Sequence, residues 1–301
     1  MIARDSRPPL LGRREFLGMS LAGAAAMGGA SCAAVQARRT AVDRVPLGKT
    51  KIRITRLGIG TGTNGGRIQR TLGEEGLARL VRHAYDRGVR YIDTAPNYIC
   101  FEYMRRALKD LPREELVILA KVSWSDPKGV APQLENIRKT LGIDTLDIAL
   151  LHGVNKAGWA ADLAKYRDEL SDAKSKGLIR AHGLSVHSIQ TLREVPACAW
   201  VDVALCRINH TGQYMDGYTG VWKEPGEHAD AVAGIRRVRE AGIAVLGMKL
   251  LANGDFKTPE EREKSIQFVW KQGLVDASVI GFKSPAEVDE AIERIDRALN
   301  G

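Results

Sequence analysis

The sequence predicts an α/β protein whose main domain is a closed (β/α)8 barrel, or TIM barrel, with an N-terminal β-hairpin. Short apolar runs rich in β-branched residues alternate with amphipathic stretches along most of the chain. Eight such pairs within roughly 250 residues are typical of a closed barrel rather than an open sheet. Residues 45–55 are expected to form the hairpin, and residues 38–301 a single domain.

The apolar runs predict the strands, and the amphipathic stretches predict the helices. Strands are expected near 57–61, 89–93, 116–122, 146–151, 179–184, 201–206, 243–248 and 276–281. Helices are expected over 74–87, 101–109, 130–141, 160–176, 188–194, 229–241, 259–271 and 285–299. The longest connection, 207–228, is far shorter than an independent domain.

Residues 1–37 differ in composition from the rest of the chain. Arg13 and Arg14 precede an uncharged run, rich in glycine and alanine, from Gly18 to Ala34. This order is typical of a twin-arginine signal segment, read by the twin-arginine export machinery. Cleavage after Ala37 and lipidation of Cys32, within a weak lipoprotein box, both remain open. We therefore expect an exported, periplasmic protein that contacts a membrane only through this segment or through lipid on Cys32.

Charge and cysteine content argue against nucleic-acid binding and against a cysteine-based metal site or disulfide framework. The formal net charge is +9, but basic and acidic residues are interspersed. This favours a solvated surface, and we expect no nucleic-acid partner. The cysteines beyond residue 37 are Cys100, Cys198 and Cys206, and they lack the spacing of a metal site or a disulfide framework.

Polar residues stand at the ends of three predicted strands. Asp93, Lys121 and His152 each follow an apolar run, and Tyr98 comes five residues after Asp93, across a loop with a proline. Active sites of (β/α)8 barrels form at the carboxyl ends of the strands. Taken singly, Asp93 could cap a turn and Tyr98 could be a loop aromatic. Lys121 could reach the surface from a strand end, and His152 could be a hydrogen-bonded core histidine. Their joint placement favours catalysis.

The chain resembles the aldo-keto reductases over nearly all of residues 38–301. The likeness rests on Leu57-Gly58-Ile59-Gly60-Thr61, Asp93-Thr94-Ala95 with Tyr98 and Glu102, Lys121, and Leu151-His152. It implies reduction of a carbonyl in a small-molecule aldehyde or ketone, by hydride from NAD(P)H. By resemblance, Tyr98 donates the proton, and Lys121, held by Asp93, lowers the pKa of Tyr98. His152 orients the carbonyl.

The resemblance also implies cofactor contacts, with departures from the family pattern. The matching positions are Gly60, Thr61, Ser185, Met248, Lys249, Lys283 and Ser284. Val186, Leu205 and Ala291 replace residues that the family uses, and Glu287 and Asp289 occupy the turn expected near the adenosine phosphate. Acids near a phosphate are unfavourable. NADP(H) is the cofactor that the family implies, with NAD(H) or a lost cofactor site as alternatives.

Two other functions remain open. The departures at Val186, Leu205 and Ala291 suit a non-catalytic barrel that binds a ligand or nucleotide. Tyr98, Lys121 and His152 could also perform acid/base chemistry without nicotinamide. The long connection carries Tyr214, Tyr218 and Trp222, which could line a substrate pocket or fasten the loop to the barrel.

Overall fold

An antiparallel hairpin precedes the barrel, as predicted, and consists of β1 (Arg44–Pro46) and β2 (Arg53–Thr55). The structure, a computed structural model, describes residues 38–219 and 227–301. The predicted signal segment, 1–37, lies outside the described residues. Over the described ranges, no helix has both the length and the apolar character needed to cross a membrane.

Parallel strands close into a barrel in the order β10-β3-β4-β5-β6-β7-β8-β9. Their bounds are β3 (Leu57–Gly60), β4 (Tyr91–Asp93), β5 (Val117–Val122), β6 (Leu146–Val154), β7 (Ile179–Val186), β8 (Val203–Arg207), β9 (Ala244–Met248) and β10 (Ala277–Ile280). The eight predicted strands are confirmed, and the last pairs with the first to complete the ring. The fold is the predicted (β/α)8 barrel.

Helices cover the outside of the barrel. They are α1 (Arg67–Arg70), α2 (Gly73–Asp86), α3 (Phe101–Leu108), α4 (Val130–Leu141), α5 (Trp159–Asp162), α6 (Ala164–Ser175), α7 (Ile189–Glu194), α8 (His228–Glu240), α9 (Pro259–Lys271) and α10 (Pro285–Asn300). One prediction is wrong in detail, because stretch 160–176 is two helices. The chain leaves helical geometry at Leu163, where φ is −103° and ψ is 18°, and this side chain is buried.

Residues alternate between the two faces of each strand, and this alternation orients the site. On β5, Val117 and Leu119 face the barrel interior, and on β6, Ile148 and Leu150 do so. Ile118 and Ala120 belong to the separate core between strands and helices. The interior series therefore continues toward the carboxyl end of each strand, where the predicted polar residues stand.

The hairpin fills the opposite end of the barrel. Leu47, Ile52 and Ile54 are buried in the same interior cluster as Val117 and Ala244, which stand near the amino ends of their strands. Apolar side chains thus fill the amino-terminal end. The carboxyl end is left for polar side chains and a cleft.

Candidate active site

The structure brings together the four side chains that the sequence singled out. Lys121 Nζ lies 2.6 Å from Asp93 Oδ1, and both side chains are almost fully buried. Lys121 Nζ also donates to Thr94 O at 3.2 Å and lies 5.1 Å from the centroid of the Tyr98 ring. The rings of Tyr98 and His152 meet edge to face, with centroids 5.8 Å apart.

Burial and charge set the protonation of Tyr98 and Lys121. Burial raises the pKa of Tyr98, and the nearby Lys121 opposes this only in part, so the pKa lies above its ordinary value. The sequence led us to expect that Lys121 would lower this pKa; its charge acts in that direction, but burial outweighs it. Burial lowers the pKa of Lys121, but Asp93 and Tyr98 outweigh it and the net pKa is raised. At neutral pH, Tyr98 therefore carries its proton and Lys121 its charge.

His152 is a neutral imidazole at the same rim. Burial, with a smaller contribution from Lys121, lowers its pKa from 6.5 to about 3. Its backbone is fixed because Trp124 Nε1 donates to His152 O at 2.9 Å. A neutral imidazole can donate one hydrogen bond and accept another. His152 can therefore bind a carbonyl oxygen without competing with Tyr98 as an acid.

The depressed pKa of His152 predicts a loss of stability in acid. Below pH 6.5 the unfolded chain protonates this histidine, whereas the folded protein does so only near pH 3. Stability therefore falls as pH falls through that window, by about 2 kcal/mol between about pH 6.5 and pH 4.5 from this group. We expect His152→Asn to flatten this loss, measured by urea unfolding at a series of pH values. Equal slopes in both proteins would contradict the assignment.

The loop that carries Tyr98 is tightly constrained. Tyr98 ends a short 3-10 helix, Pro96–Tyr98, and Ile99 then adopts a left-handed φ of 54° while remaining exposed. Arg70 Nη1 donates to Tyr98 O and to Gly65 O at 2.9 Å. A β-branched residue with positive φ is strained and persists only where its surroundings hold it. The hydrogen bonds from Arg70 hold this strained loop, and with it the backbone that carries the phenol.

Gly62 is required by the position of the Tyr98 ring. A Cβ atom there would lie 2.5 Å from Tyr98 Cζ, which is too close for any real contact. We expect Gly62→Ala to displace the phenol. This should lower kcat/KM for the carbonyl reduction that the resemblance implies by about 10- to 100-fold, because small misplacements of catalytic groups are costly. Gly76→Ala, within α2, is the matched control. Unchanged kcat/KM in Gly62→Ala, or an equal loss in both variants, would contradict this prediction.

A cleft of about 300 Å³ opens beside these residues and extends to α9 and α10. Of the predicted cofactor contacts, Gly60, Met248, Lys249 and Lys283 line it. Its other walls include the apolar side chains of Leu250, Leu251, Phe256, Ile266, Val279, Ile280 and Phe282 and the cations Lys257, Arg262 and Arg294. The cleft thus joins the catalytic rim to a surface that carries these cations together with Glu287 and Glu290.

At three predicted cofactor contacts the side-chain hydroxyl forms a hydrogen bond within the protein. Thr61 Oγ1 donates to Asp93 O at 3.1 Å, and Ser185 Oγ accepts from Gly153 N at 2.8 Å. Ser284 caps α10, where its hydroxyl accepts from Glu287 N at 3.4 Å. Cofactor binding was the prediction at these positions, and it stays a prediction. In the structure these hydroxyls join strands and begin a helix.

The structure places the two expected acids differently: Glu287 lines the cleft, and Asp289 does not. Asp289 turns to α2, where its Oδ1 lies 3.0 Å from His83 Nε2 and 3.0 Å from Arg87 Nε. Glu290 Oε1 is held by Arg262 and Arg294 at 2.8 Å each. Sequence reasoning missed both arginines. Helical spacing could have located Arg294, since positions 287, 291 and 294 share one face of a helix.

His187 and Arg207 were also missed as site residues. They follow Ser185 and Leu205 by two positions, so they continue the interior-facing series of β7 and β8. His187 lies edge to face with His152, with ring centroids 6.4 Å apart. Strand alternation was the signal that could have found both. Every second residue of a strand faces the interior, so the positions two residues after Ser185 and Leu205 point to the same side.

The aromatic residues of the long connection fasten it to neighbouring elements. Tyr214 Oη donates to Asp255 Oδ2 at 2.9 Å, and Tyr218 Oη donates to Asp230 Oδ2 at 2.6 Å. These contacts favour the anchoring role that the sequence left open. Trp222 lies outside the described residues.

Known proteins share this sequence pattern and this fold. The model of the aldo/keto reductase family matches residues 56–297. The NADH-specific methylglyoxal reductase of Escherichia coli is 28% identical over 200 residues, which are 58% of this chain and 61% of that protein. Aldo-keto reductase YhdN of Bacillus subtilis is 30% identical over 172 residues, which are 52% of this chain and 51% of that protein. The chain thus spans about half to three-fifths of the length of these curated relatives.

A solved structure agrees with the barrel along most of its length. The holo form of aldo-keto reductase AKR11C1 from Bacillus halodurans superposes with a TM-score of 0.66 at 16% identity, covering 86% of this chain and 91% of that one. At this identity the likeness concerns the fold. The family match extends over most of the barrel sequence, and the chain belongs to the aldo/keto reductase family.

Proposed function

We propose that the protein reduces a carbonyl, in a small-molecule aldehyde or ketone, with NAD(P)H, and that Tyr98 donates the proton. The observation that carries this proposal is the assembly of Asp93, Tyr98, Lys121 and His152. Asp93 and Tyr98 of this group line the cleft. A protonated phenol next to a buried ammonium is the chemistry that a developing alkoxide requires.

The residues of the cleft fit a reduced nicotinamide dinucleotide. Met248 and Phe282 offer an apolar wall for a flat ring, and Lys283 stands at the N-terminus of α10, where a phosphate is favoured. Arg262 and Arg294 add cationic groups for further phosphates. When bound, such a group supplies a hydride to the carbonyl carbon.

The protein's own residues bind the carbonyl and move the proton. Tyr98 Oη and the His152 ring, on neighbouring sides of the rim, hydrogen-bond the carbonyl oxygen, and Tyr98 gives its proton to that oxygen as negative charge develops there. The charge of Lys121 stabilises the resulting phenolate. Asp93 keeps Lys121 charged and in place, since its carboxylate lies 2.6 Å from the ammonium.

We favour NADP(H) over NAD(H). Asp289 is engaged by α2 rather than by the cleft. Arg294 lines the cleft, where it pairs with Glu263 and Glu290, and is the candidate partner for a 2′-phosphate. The NADH-specific name of the Escherichia coli relative keeps NAD(H) as the second candidate.

Fluorescence titration with NADPH and then NADH tests the cofactor directly. We expect saturable binding of both, tighter for NADPH, and a larger loss for NADPH than for NADH in Arg294→Gln. Arg297→Gln is the control, because Arg297 pairs with the same Glu263 as Arg294 does. Tighter binding of NADH would move the choice to NAD(H). Failure to bind either nucleotide would overturn the reductase proposal in favour of a non-catalytic barrel or acid/base chemistry without nicotinamide.

We also propose that residues 1–37 direct export through the twin-arginine machinery, separately from the barrel domain of 38–301. The support is the Arg13–Arg14 pair before an uncharged apolar run. Fractionation of cells that express the full chain should find the protein in the periplasm, and replacing both arginines by lysine should retain it in the cytoplasm. Labelling with a fatty acid, compared between the parent and Cys32→Ser, distinguishes lipidation from cleavage after Ala37. Export that is unaffected by the arginine substitutions would disprove this proposal.

A further inference from the structure

Three aromatic side chains stand in a row along the rim of the active site. Tyr98 and His152 have ring centroids 5.8 Å apart, and His152 and His187 have centroids 6.4 Å apart with ring planes at 82°. All three residues are partly exposed. The proposed mechanism uses Tyr98 and His152, so His187 is an additional polar ring beside the bound carbonyl.

The tautomer of His187 is fixed by Arg207. Arg207 Nη2 lies 2.6 Å from His187 Nδ1. An arginine side chain only donates hydrogen bonds, so Nδ1 is the acceptor and the ring proton of the neutral imidazole is on Nε2. Burial, with the positive charge of Arg207, lowers the pKa of His187 well below its ordinary value. The ring is therefore neutral at physiological pH and presents an N–H donor at Nε2.

Arg207 also lies close to a buried acidic side chain. Its Nη1 lies 3.5 Å from Asp216 Oδ1, and the two side chains are 2% and 1% exposed. This pair joins β8 to the long connection, and the hydrogen bond from Arg207 Nη2 to Nδ1 orients the His187 ring. Among the described residues, none hydrogen-bonds His187 Nε2, and this atom is not one of the buried polar atoms left without a partner. The donor therefore faces open space at the rim.

We propose that His187 determines substrate specificity: its Nε2–H binds an oxygen on the carbon next to the carbonyl, and Arg207 is the residue that positions it. This inference rests on the proposed carbonyl reduction. The substrates that it selects are carbonyl compounds with a neighbouring oxygen, whether a second carbonyl, a hydroxyl or a carboxylate. A site built to hydrogen-bond such an oxygen discriminates against analogues that lack it, because a substrate that covers the donor then leaves it unpaired.

Paired substrates test this inference in the full-length protein. Methylglyoxal, glycolaldehyde and pyruvate represent the three kinds of neighbouring oxygen, and propanal lacks one. We expect kcat/KM to be higher for at least one oxygenated substrate than for propanal. In His187→Phe this preference should fall by about 10- to 100-fold. The oxygenated substrate that loses most identifies which kind of oxygen the site selects.

Three further variants separate positioning from a general structural effect. His187→Gln, whose amide nitrogen can replace Nε2 as a donor, should restore part of the preference. Arg207→Met should lose it, although the imidazole remains. His182→Phe is the control, because His182 lies on the same strand and stacks on Trp200 with centroids 4.5 Å apart. Nitrogen-15 NMR of the parent protein should show His187 protonated at Nε2 and not at Nδ1, which tests the tautomer without any substitution.

The outcomes distinguish this inference from the proposed function. A parent protein that reduces none of these carbonyls with either nucleotide would overturn the reductase proposal, and the inference with it. Reduction of all four substrates with an unchanged preference in His187→Phe would overturn the inference alone. Weaker NADPH binding in His187→Phe with an unchanged preference would also overturn it, because His187 would then contact the cofactor.

Discussion

Replacement of Tyr98 by phenylalanine is expected to lower kcat for carbonyl reduction by roughly 10²- to 10⁴-fold, the range typical of a lost general acid. The substitution removes only Oη, so the ring can keep its edge-to-face contact with His152. Lys121 would remain paired with Asp93. We therefore expect the effect in kcat rather than in nucleotide binding or stability.

Steady-state kinetics with NADPH and a reducible aldehyde measure this effect, and fluorescence titration measures nucleotide binding in the same preparation. Tyr103→Phe is the matched control, because it removes the same oxygen from a partly buried tyrosine of α3 that packs against the core. A Tyr98→Phe protein that reduces the aldehyde as fast as the parent would show that another group donates the proton.

Breaking the buried pair between Lys121 and Asp93 is expected to have the largest effect on stability. Each of Lys121→Met and Asp93→Leu leaves the other group buried without its counter-charge, which typically costs about 3–5 kcal/mol in the free energy of unfolding. Both side chains are almost fully buried, so solvent screens the remaining charge little. The double variant should lose much less than the sum of the two single losses, because neither charge is then left alone.

Urea unfolding at neutral pH measures the four free energies of this double-mutant cycle. The exposed pair of Lys156 and Asp162, whose side chains are 40% and 53% exposed, serves as the control. Breaking it should change stability by about 0–1 kcal/mol. Losses that simply add in the Lys121 and Asp93 double variant would show that the pair is not coupled.

The periodicity of the sequence was sufficient to predict the barrel. Apolar runs such as Val117–Val122 fill both faces of a strand, and amphipathic stretches such as Pro285–Asn300 can bury only one side. Connections between parallel strands through a helix are right-handed, and this leaves few possible topologies for a chain in which strands and helices alternate. The break at Leu163 was not predicted, because local periodicity continues across it.

The active site could be predicted only in part. Asp93, Tyr98, Lys121 and His152 were identifiable because each follows directly or closely on a strand. Sequence alone did not reveal that burial outweighs Lys121 in the pKa of Tyr98, since burial depends on every element packed around the phenol.

The sequence alone predicted the succession of strands and helices, the closed barrel and the end of the barrel at which polar groups collect. Only the tertiary structure decided which side chains pair there. Asp289 bonds to α2 rather than facing the cleft, and Arg207 reaches both His187 and Asp216. Secondary structure depends on neighbours within a few residues of the chain. Ion pairs and tautomers depend on distances of a few ångström between residues far apart in sequence, and barrel closure sets those distances.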